Sequence, residues 1–184
     1  MDQGNEQIGP KNRAFHCMTS IREFLIIYGG YENKTGTECN ELLSYNTISG
    51  VWKRYQTPIE IKDRCVSSSI CTVGNFVYIF GGKCSSFRNR LTNCLVSFDI
   101  TSGIWETLFP HTDDYDQNTP PPMWGNLLCS HNSCLYVLKG IHELGKLDTL
   151  YKFCLKTSKW SLVQQNGPKP FFVVGIYGTF FKNQ

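Results

Sequence analysis

Cys129, His131 and Cys134 fall within six consecutive residues. Thiolates and imidazoles are the ligands zinc prefers, so this cluster is the first place to look for a metal. Its spacing, Cys-x-His-x-x-Cys, matches no zinc knuckle, and no second pair follows it. On a strand, Cys129 and His131 would share a face while Cys134 would lie beyond a turn. Buried thiols and an exposed imidazole are the expectation, and no metal site. HTDDYDQNTPPP (111–122) carries three acidic residues but lacks the Gly-punctuated spacing of a calcium loop. It reads as a solvated linker stiffened by Pro120 to Pro122. The four His, at 16, 111, 131 and 142, are scattered. There is no nucleophile elbow, phosphate loop or HExxH. No catalytic residue and no cofactor is expected, although a site assembled from distant loops would leave no local motif. Asn33-Lys34-Thr35 fits a glycosylation sequon, which is used only on a secretory route.

Composition narrows the class. The 184 residues suggest one domain, and 41% hydrophobic content suits a globular fold. A net charge of +3 is too weak to point to nucleic acid or a membrane surface. No apolar run approaches the roughly 20 residues of a membrane-spanning helix. The polar start MDQGNEQIGPKNR has no signal-peptide core, so a cytoplasmic and also nuclear location is expected, with the nine Cys free. Most of those Cys (17, 71, 94, 129, 154) sit in apolar strand patterns and read as small hydrophobes.

The elements that would position any site come in repeats. FLIIYGG ends at Gly30, FVYIFGG at Gly82 and LYVLKG at Gly140. An aromatic follows in each copy, then a Trp seven residues later: Tyr45 and Trp52, Phe98 and Trp105, Phe153 and Trp160. The Trp-to-Trp spacing is 53, then 55 residues. A period near 50 with strand-like units signals a propeller blade. Each unit reads as four short strands, rich in β-branched and aromatic residues and bounded by turn residues. They fall at 15–21, 23–28, 41–46 and 51–55; at 65–73, 76–80, 94–99 and 104–109; and at 126–131, 134–138, 149–154 and 159–163. Gly29-Gly30 and Gly81-Gly82 end the second strand, where a missing Cβ permits positive φ and close approach of a neighbouring backbone. Between the third and fourth strands, NTISG and DITSG suit tight hairpins with Gly50 and Gly103 left-handed. In CLKTSK, Lys159 is read as the replacement for that Gly, so the third turn is expected to differ slightly or to be strained. Each Trp opens a fourth strand, where its ring can fill the gap between adjacent twisted sheets.

Apolar-run-Gly-Gly, then Tyr or Phe, then Trp seven residues on, resembles the kelch repeat, and the pattern covers about residues 12–184. The resemblance implies an all-β fold, a β-propeller of kelch repeats with about three four-stranded blades plus the first strand of a fourth. Blade 1 would span about 13–55, blade 2 about 64–109, blade 3 about 124–163 and the partial blade 4 about 170–184, after a disordered tail at 1–11. Three blades and a strand cannot close a ring, so a longer product or a second chain is expected to complete it. GGY followed by NELLSYNTISGVWK is similar to kelch domain-containing proteins with few other domains. These recruit substrates to cullin-2 ubiquitin ligases and read client tails. Elongin B/C and cullin-2 would then be partners through a segment absent from this chain. A protein or peptide ligand is expected, with no nucleic acid and no membrane. The alternative is a scaffold for cytoskeletal or signalling proteins; an enzyme is the third. In the family, ligands dock on the face made by the loops between strands two and three and between blades. Residues leading into each first strand point to the central pocket: Arg13 and His16, Arg64 and Ser67, Trp124 and Asn126. An Arg pair there could grip a carboxylate in fork geometry; otherwise both Arg cap strand ends in water.

Overall fold

The computed structural model describes residues 9–59, 61, 65–84 and 90–169. The first repeat gives β1 (Arg13–Ala14), β2 (Cys17–Ile21), β3 (Phe24–Tyr28), β4 (Tyr31–Glu32), β5 (Thr37–Glu38), β6 (Glu41–Asn46) and β7 (Trp52–Gln56). The second gives β8 (Ser69–Val73), β9 (Phe76–Phe80), β10 (Leu95–Asp99) and β11 (Trp105–Phe109). The third gives β12 (Leu127–His131), β13 (Cys134–His142), β14 (Gly145–Cys154) and β15 (Lys159–Val163). These strands form three antiparallel four-stranded sheets, β2-β3-β6-β7, β8-β9-β10-β11 and β12-β13-β14-β15, each in sequence order. They are the blades of a β-propeller. The expected tail lies in part, and the expected fourth blade wholly, outside the described residues.

The seven-residue aromatic-to-Trp spacing is the geometry of one hairpin. Tyr45 faces Trp52, Phe98 faces Trp105 and Phe153 faces Trp160 across strands three and four. The ring centroids lie 4.8, 4.8 and 5.0 Å apart. Alternate residues of each blade point to opposite neighbours, so the central strands are apolar on both faces. Ile26, Tyr28 and Leu42 of blade 1 pack with Val77, Ile79, Val96 and Phe98 of blade 2. On the other face of blade 2, Tyr78, Phe80 and Leu95 pack with Leu135, Val137 and Phe153 of blade 3. Trp160 lies between these sheets, 5.5 Å from Phe80 and 6.1 Å from Phe109 between centroids.

The Gly pairs join one blade to the next. Gly29 N–H donates to Glu41 O and Gly81 N–H to Cys94 O, both within their own blades. The second glycine turns outward: Gly30 N–H donates to Cys65 O at 3.1 Å, and Gly82 N–H to Met123 O at 2.9 Å. A Cβ on Gly29 would collide with Cys65 O, and one on Gly81 would stand 2.7 Å from Met123 O. A second line of contacts runs through the residues two positions before each first strand. Ser67 N–H donates to Phe15 O (2.9 Å), and Gly125 N–H donates to Ser67 O (3.0 Å). All three are left-handed, with φ of 57°, 56° and 65°.

The third hairpin turn departs from the expected form. Its left-handed residue is Ser158 (φ 54°), not Lys159, because Ser158 stands two residues before the Trp as Gly50 and Gly103 do. Ser158 N–H donates to Cys154 O at 2.8 Å, as Gly50 N–H donates to Asn46 O. A non-Gly residue costs about 1–2 kcal/mol in this conformation, and glycine returns about 0.4–1 kcal/mol through the unfolded chain. Ser158→Gly should therefore stabilise the fold by about 0.5–1 kcal/mol, read as a higher urea midpoint at unchanged slope.

Two loops also differ from expectation. The stretch between the second and third strands of blade 3 is not an open loop, because β13 and β14 pair onward past the bulge at Lys139 to His142 opposite Gly145. The linker is exposed over 113–118, but Pro120 to Met123 are buried. Asn93 holds it against blade 2, its Nδ2 donating to Thr112 O and Pro120 O, both at 3.0 Å.

Candidate functional site

The residue after Gly30, Gly82 or Gly140, namely Tyr31, Lys83 or Ile141, repeats one small pattern. It pairs on one side with the residue before the left-handed position: Ala14, Val66 or Trp124. On the other side it pairs with the return of the loop: Glu38, Leu91 or Lys146. In blade 1 this grows into the separate sheet β1-β4-β5. Three such rows carry the loops between strands two and three, and the line through Phe15, Ser67 and Gly125 links them.

On this platform the Lys83 ammonium stands 4.0 Å from the centroid of the half-buried Trp124 ring. The backbones of both residues are fixed by paired bonds, Lys83 with Val66 and Trp124 with Ile141. A cation held over an indole presents positive charge beside a flat apolar surface. Nearby, the linker reaches the end of blade 3, where Tyr115 Oη lies 3.4 Å from His142 Nε2.

The residues singled out in the sequence divide sharply. Arg13 is buried, with a side chain only 2% exposed. Its Nη2 donates to Glu41 Oε1 at 2.7 Å, its Nη1 to Gly29 O at 3.1 Å and its Nε to Lys11 O. Arg54 pairs with the other oxygen of Glu41 at 2.9 Å. The fork geometry is thus present, but the carboxylate it grips belongs to the chain itself. Arg64 lies outside the described residues. His16 is exposed at the platform, next to Gly30. Ser67 contributes backbone to the line between blades. Asn126 is buried; its Nδ2 donates to Ser69 Oγ at 2.6 Å, and its Oδ1 has no hydrogen-bond partner among the described residues. The equivalent positions are Ala14, Val66 and Trp124, then His16, Ser68 and Asn126; Arg13 and Ser67 stand one residue from them and Arg64 two, while His16, Trp124 and Asn126 occupy them. Lys83, directly after Gly81-Gly82, is not among the residues that lead into the first strands; it opens the loop between strands two and three of blade 2.

Most of the shifted thiols are raised by burial. Burial pushes the Cys17 thiol up to about 12 and the Cys129 thiol up to about 11. Cys65 and Cys71 are raised further by the same cause. Thiols in that state are poor nucleophiles and poor metal ligands. Among the described residues no three His, Cys, Asp or Glu side chains converge as metal ligands would. No helix of the described residues is long and apolar enough to cross a membrane.

The loop face of this propeller thus carries a cation over an indole on a backbone fixed by paired bonds. The KLHDC2/KLHL20/DRC7 Kelch-repeats domain matches residues 6–177. The chain belongs to this Kelch-repeat family, which points to protein interaction as its general role. It is 23% identical to fission yeast Tip elongation aberrant protein 3 over 196 aligned positions, covering 90% of this chain and 17% of that protein. It is 27% identical to human Host cell factor 2 over 135 positions, covering 72% of this chain and 16% of that one. With human Kelch domain-containing protein 10 it shares 23% over 167 positions, 85% of this chain and 37% of the relative. The chain thus spans about a sixth of the length of the first two relatives.

Proposed function

We propose that this propeller segment binds a protein or peptide tail on its loop face, as the substrate-recognition part of a cullin-RING ubiquitin ligase. The observation that carries the binding reading is Lys83 held over Trp124 on a backbone-fixed platform. Lys83 would meet a ligand carboxylate, and Trp124 would cover the adjacent apolar side chain. A rigid aromatic beside a cation is the composition of an interface hot spot. His16 lies on the same platform and would be a rim contact. The ligase role rests on the likeness of the repeats to kelch domain-containing proteins. Elongin B/C and cullin-2 would be engaged outside these repeats.

The experiment is affinity purification of the full-length protein from its source cells. Recovery of elongin B/C and cullin-2 supports the ligase role, and their absence from repeated purifications would overturn it. The competing reading is a scaffold for cytoskeletal or signalling proteins. It is favoured by the match along 90% of the chain to a protein whose name refers to tip elongation. Co-sedimentation with filaments, without cullin or elongin, would support it instead.

A further inference from the structure

The hairpin caps of the three blades are equivalent but differ in chemistry. Asn46 Oδ1 accepts from Ile48 N–H and Ser49 N–H, both at 2.9 Å. Asp99 Oδ1 accepts from Thr101 N–H at 2.8 Å, and its Oδ2 from Ser102 Oγ. These bonds, the Thr101 N–H first, hold the Asp99 carboxyl below its ordinary value. In blade 3 the capping residue is Cys154. The donors there are the Thr157 hydroxyl and the N–H groups of Thr157 and Lys156, and they bring the Cys154 thiol down to about 7. The turn that holds a carboxylate in blade 2 holds a cysteine sulfur in blade 3. The other shifted thiols go the opposite way, raised by burial.

A second thiol faces this one. Cys134 and Cys154 are register partners at the end of the β13–β14 ladder. Leu155 N–H donates to Ser133 O at 3.1 Å, which makes the next pair out hydrogen-bonded and Cys134–Cys154 a non-hydrogen-bonded pair. Such pairs bring Cα atoms to about 4.5 Å and side chains closest together. A disulfide accepts Cα separations from roughly 4.4 to 6.8 Å. Both Cys are partly exposed, and both are free thiols. His131 continues the row beyond Cys134 and Lys159 beyond Cys154, so an imidazole and an ammonium flank the pair. The turn end of β13 that carries Cys134 is opposite the end that carries Ile141 and Trp124.

We propose that Cys134 and Cys154 form a peroxide-sensitive dithiol that closes to a disulfide across the β13–β14 ladder. The Cys154 thiolate attacks one oxygen of hydrogen peroxide. The O–O bond breaks, hydroxide leaves and takes a proton to become water, and Cys154 becomes a sulfenic acid. The Cys134 sulfur then attacks the sulfenic sulfur, losing its proton as the hydroxyl departs as a second water. Two thiols lose two electrons and one peroxide gains them. The closed bond clamps the rim of blade 3 and leaves the loop face untouched.

The test is peptide mapping of the purified chain after brief treatment with equimolar hydrogen peroxide and alkylation. The expected product is a peptide pair joined through Cys134 and Cys154, formed at least tenfold faster than oxidation at Cys17, Cys71 or Cys129. In Cys134→Ser, a sulfenic acid at Cys154 should accumulate and be captured by dimedone. Oxidation spread evenly over the Cys, or starting at one of the buried ones, would overturn the proposal. So would a lasting dimedone adduct on Cys154 of the unsubstituted chain with no disulfide. The mapping of the unsubstituted chain decides alone if the variant does not fold.

Discussion

Gly81→Ala is expected to destabilise the propeller by about 3 kcal/mol or more. Gly81 has φ +68°, which costs an L-residue about 1–2 kcal/mol. The added Cβ would also stand 2.7 Å from Met123 O and 3.1 Å from Asn126 Oδ1. Neither neighbour can yield cheaply. Met123 O accepts the Gly82 N–H that joins blade 2 to blade 3, and Asn126 is buried against Ser69. Forced overpacking of this kind adds about 1–3 kcal/mol. Gly74→Ala is the control: its φ is +61°, but no atom lies within 4 Å of the new Cβ. It should show the backbone cost alone. Urea unfolding of both variants measures the difference, and equal losses would mean that the blades do not meet at the Gly pair.

Glu41→Ala comes next, with an expected loss of about 3 kcal/mol. Removing one partner of a buried ion pair leaves the other charge uncompensated, at about 3–5 kcal/mol. Here the stranded group is the Arg13 guanidinium, 2% exposed, while Glu41 is 15% exposed, which places the cost at the lower end. Arg54, at 41% exposure, is solvated and suffers little from the loss. Arg13 also donates to Gly29 O, one residue from the bond that joins blade 1 to blade 2. The damage should therefore reach the junction. Replacing both members, with Arg13→Met and Glu41→Leu together, should recover much of the loss, because well-packed apolar residues can replace a buried pair. A double variant no more stable than Glu41→Ala would mean that the ion pair is not the source of the cost.

The blades were legible because their signals are local and repeated. ELLSYN, FVYIF and KWSLV are strands to the residue, and the aromatic-to-Trp spacing is one hairpin's register. The Gly pairs showed where a backbone must pass closely, and Cys65 and Met123 supply that backbone. The small sheet β1-β4-β5 was not legible, since two-residue strands in a polar loop are fixed only by pairing with residues upstream. The long β13–β14 hairpin was missed because Lys139-Gly140 looks like the usual terminator, whereas the chain bulges there and pairs on. Ser158 was passed over by a count of one from the Trp. The site was harder still. Arg13 reads as a surface cation until Glu41, 28 residues away, is seen to hold it. Lys83 and Trp124 meet only once two blades are packed. Cys154 reads as an apolar strand residue until its alignment with Asn46 and Asp99 shows it to be a cap.

The binding claim is tested most directly by purifying the full-length protein and its Lys83→Glu, Trp124→Ala double variant side by side, with quantitative mass spectrometry of what each retains. Loss of one hot-spot cluster costs tenfold or more in affinity, on the order of 1.4 kcal/mol or above. A set of proteins should therefore drop at least tenfold from the variant, while its thermal unfolding stays within a few degrees of the parent. Partners bound outside the repeats should be unchanged. An identical set of retained proteins from both would contradict the account and move the binding surface away from the Lys83–Trp124 platform.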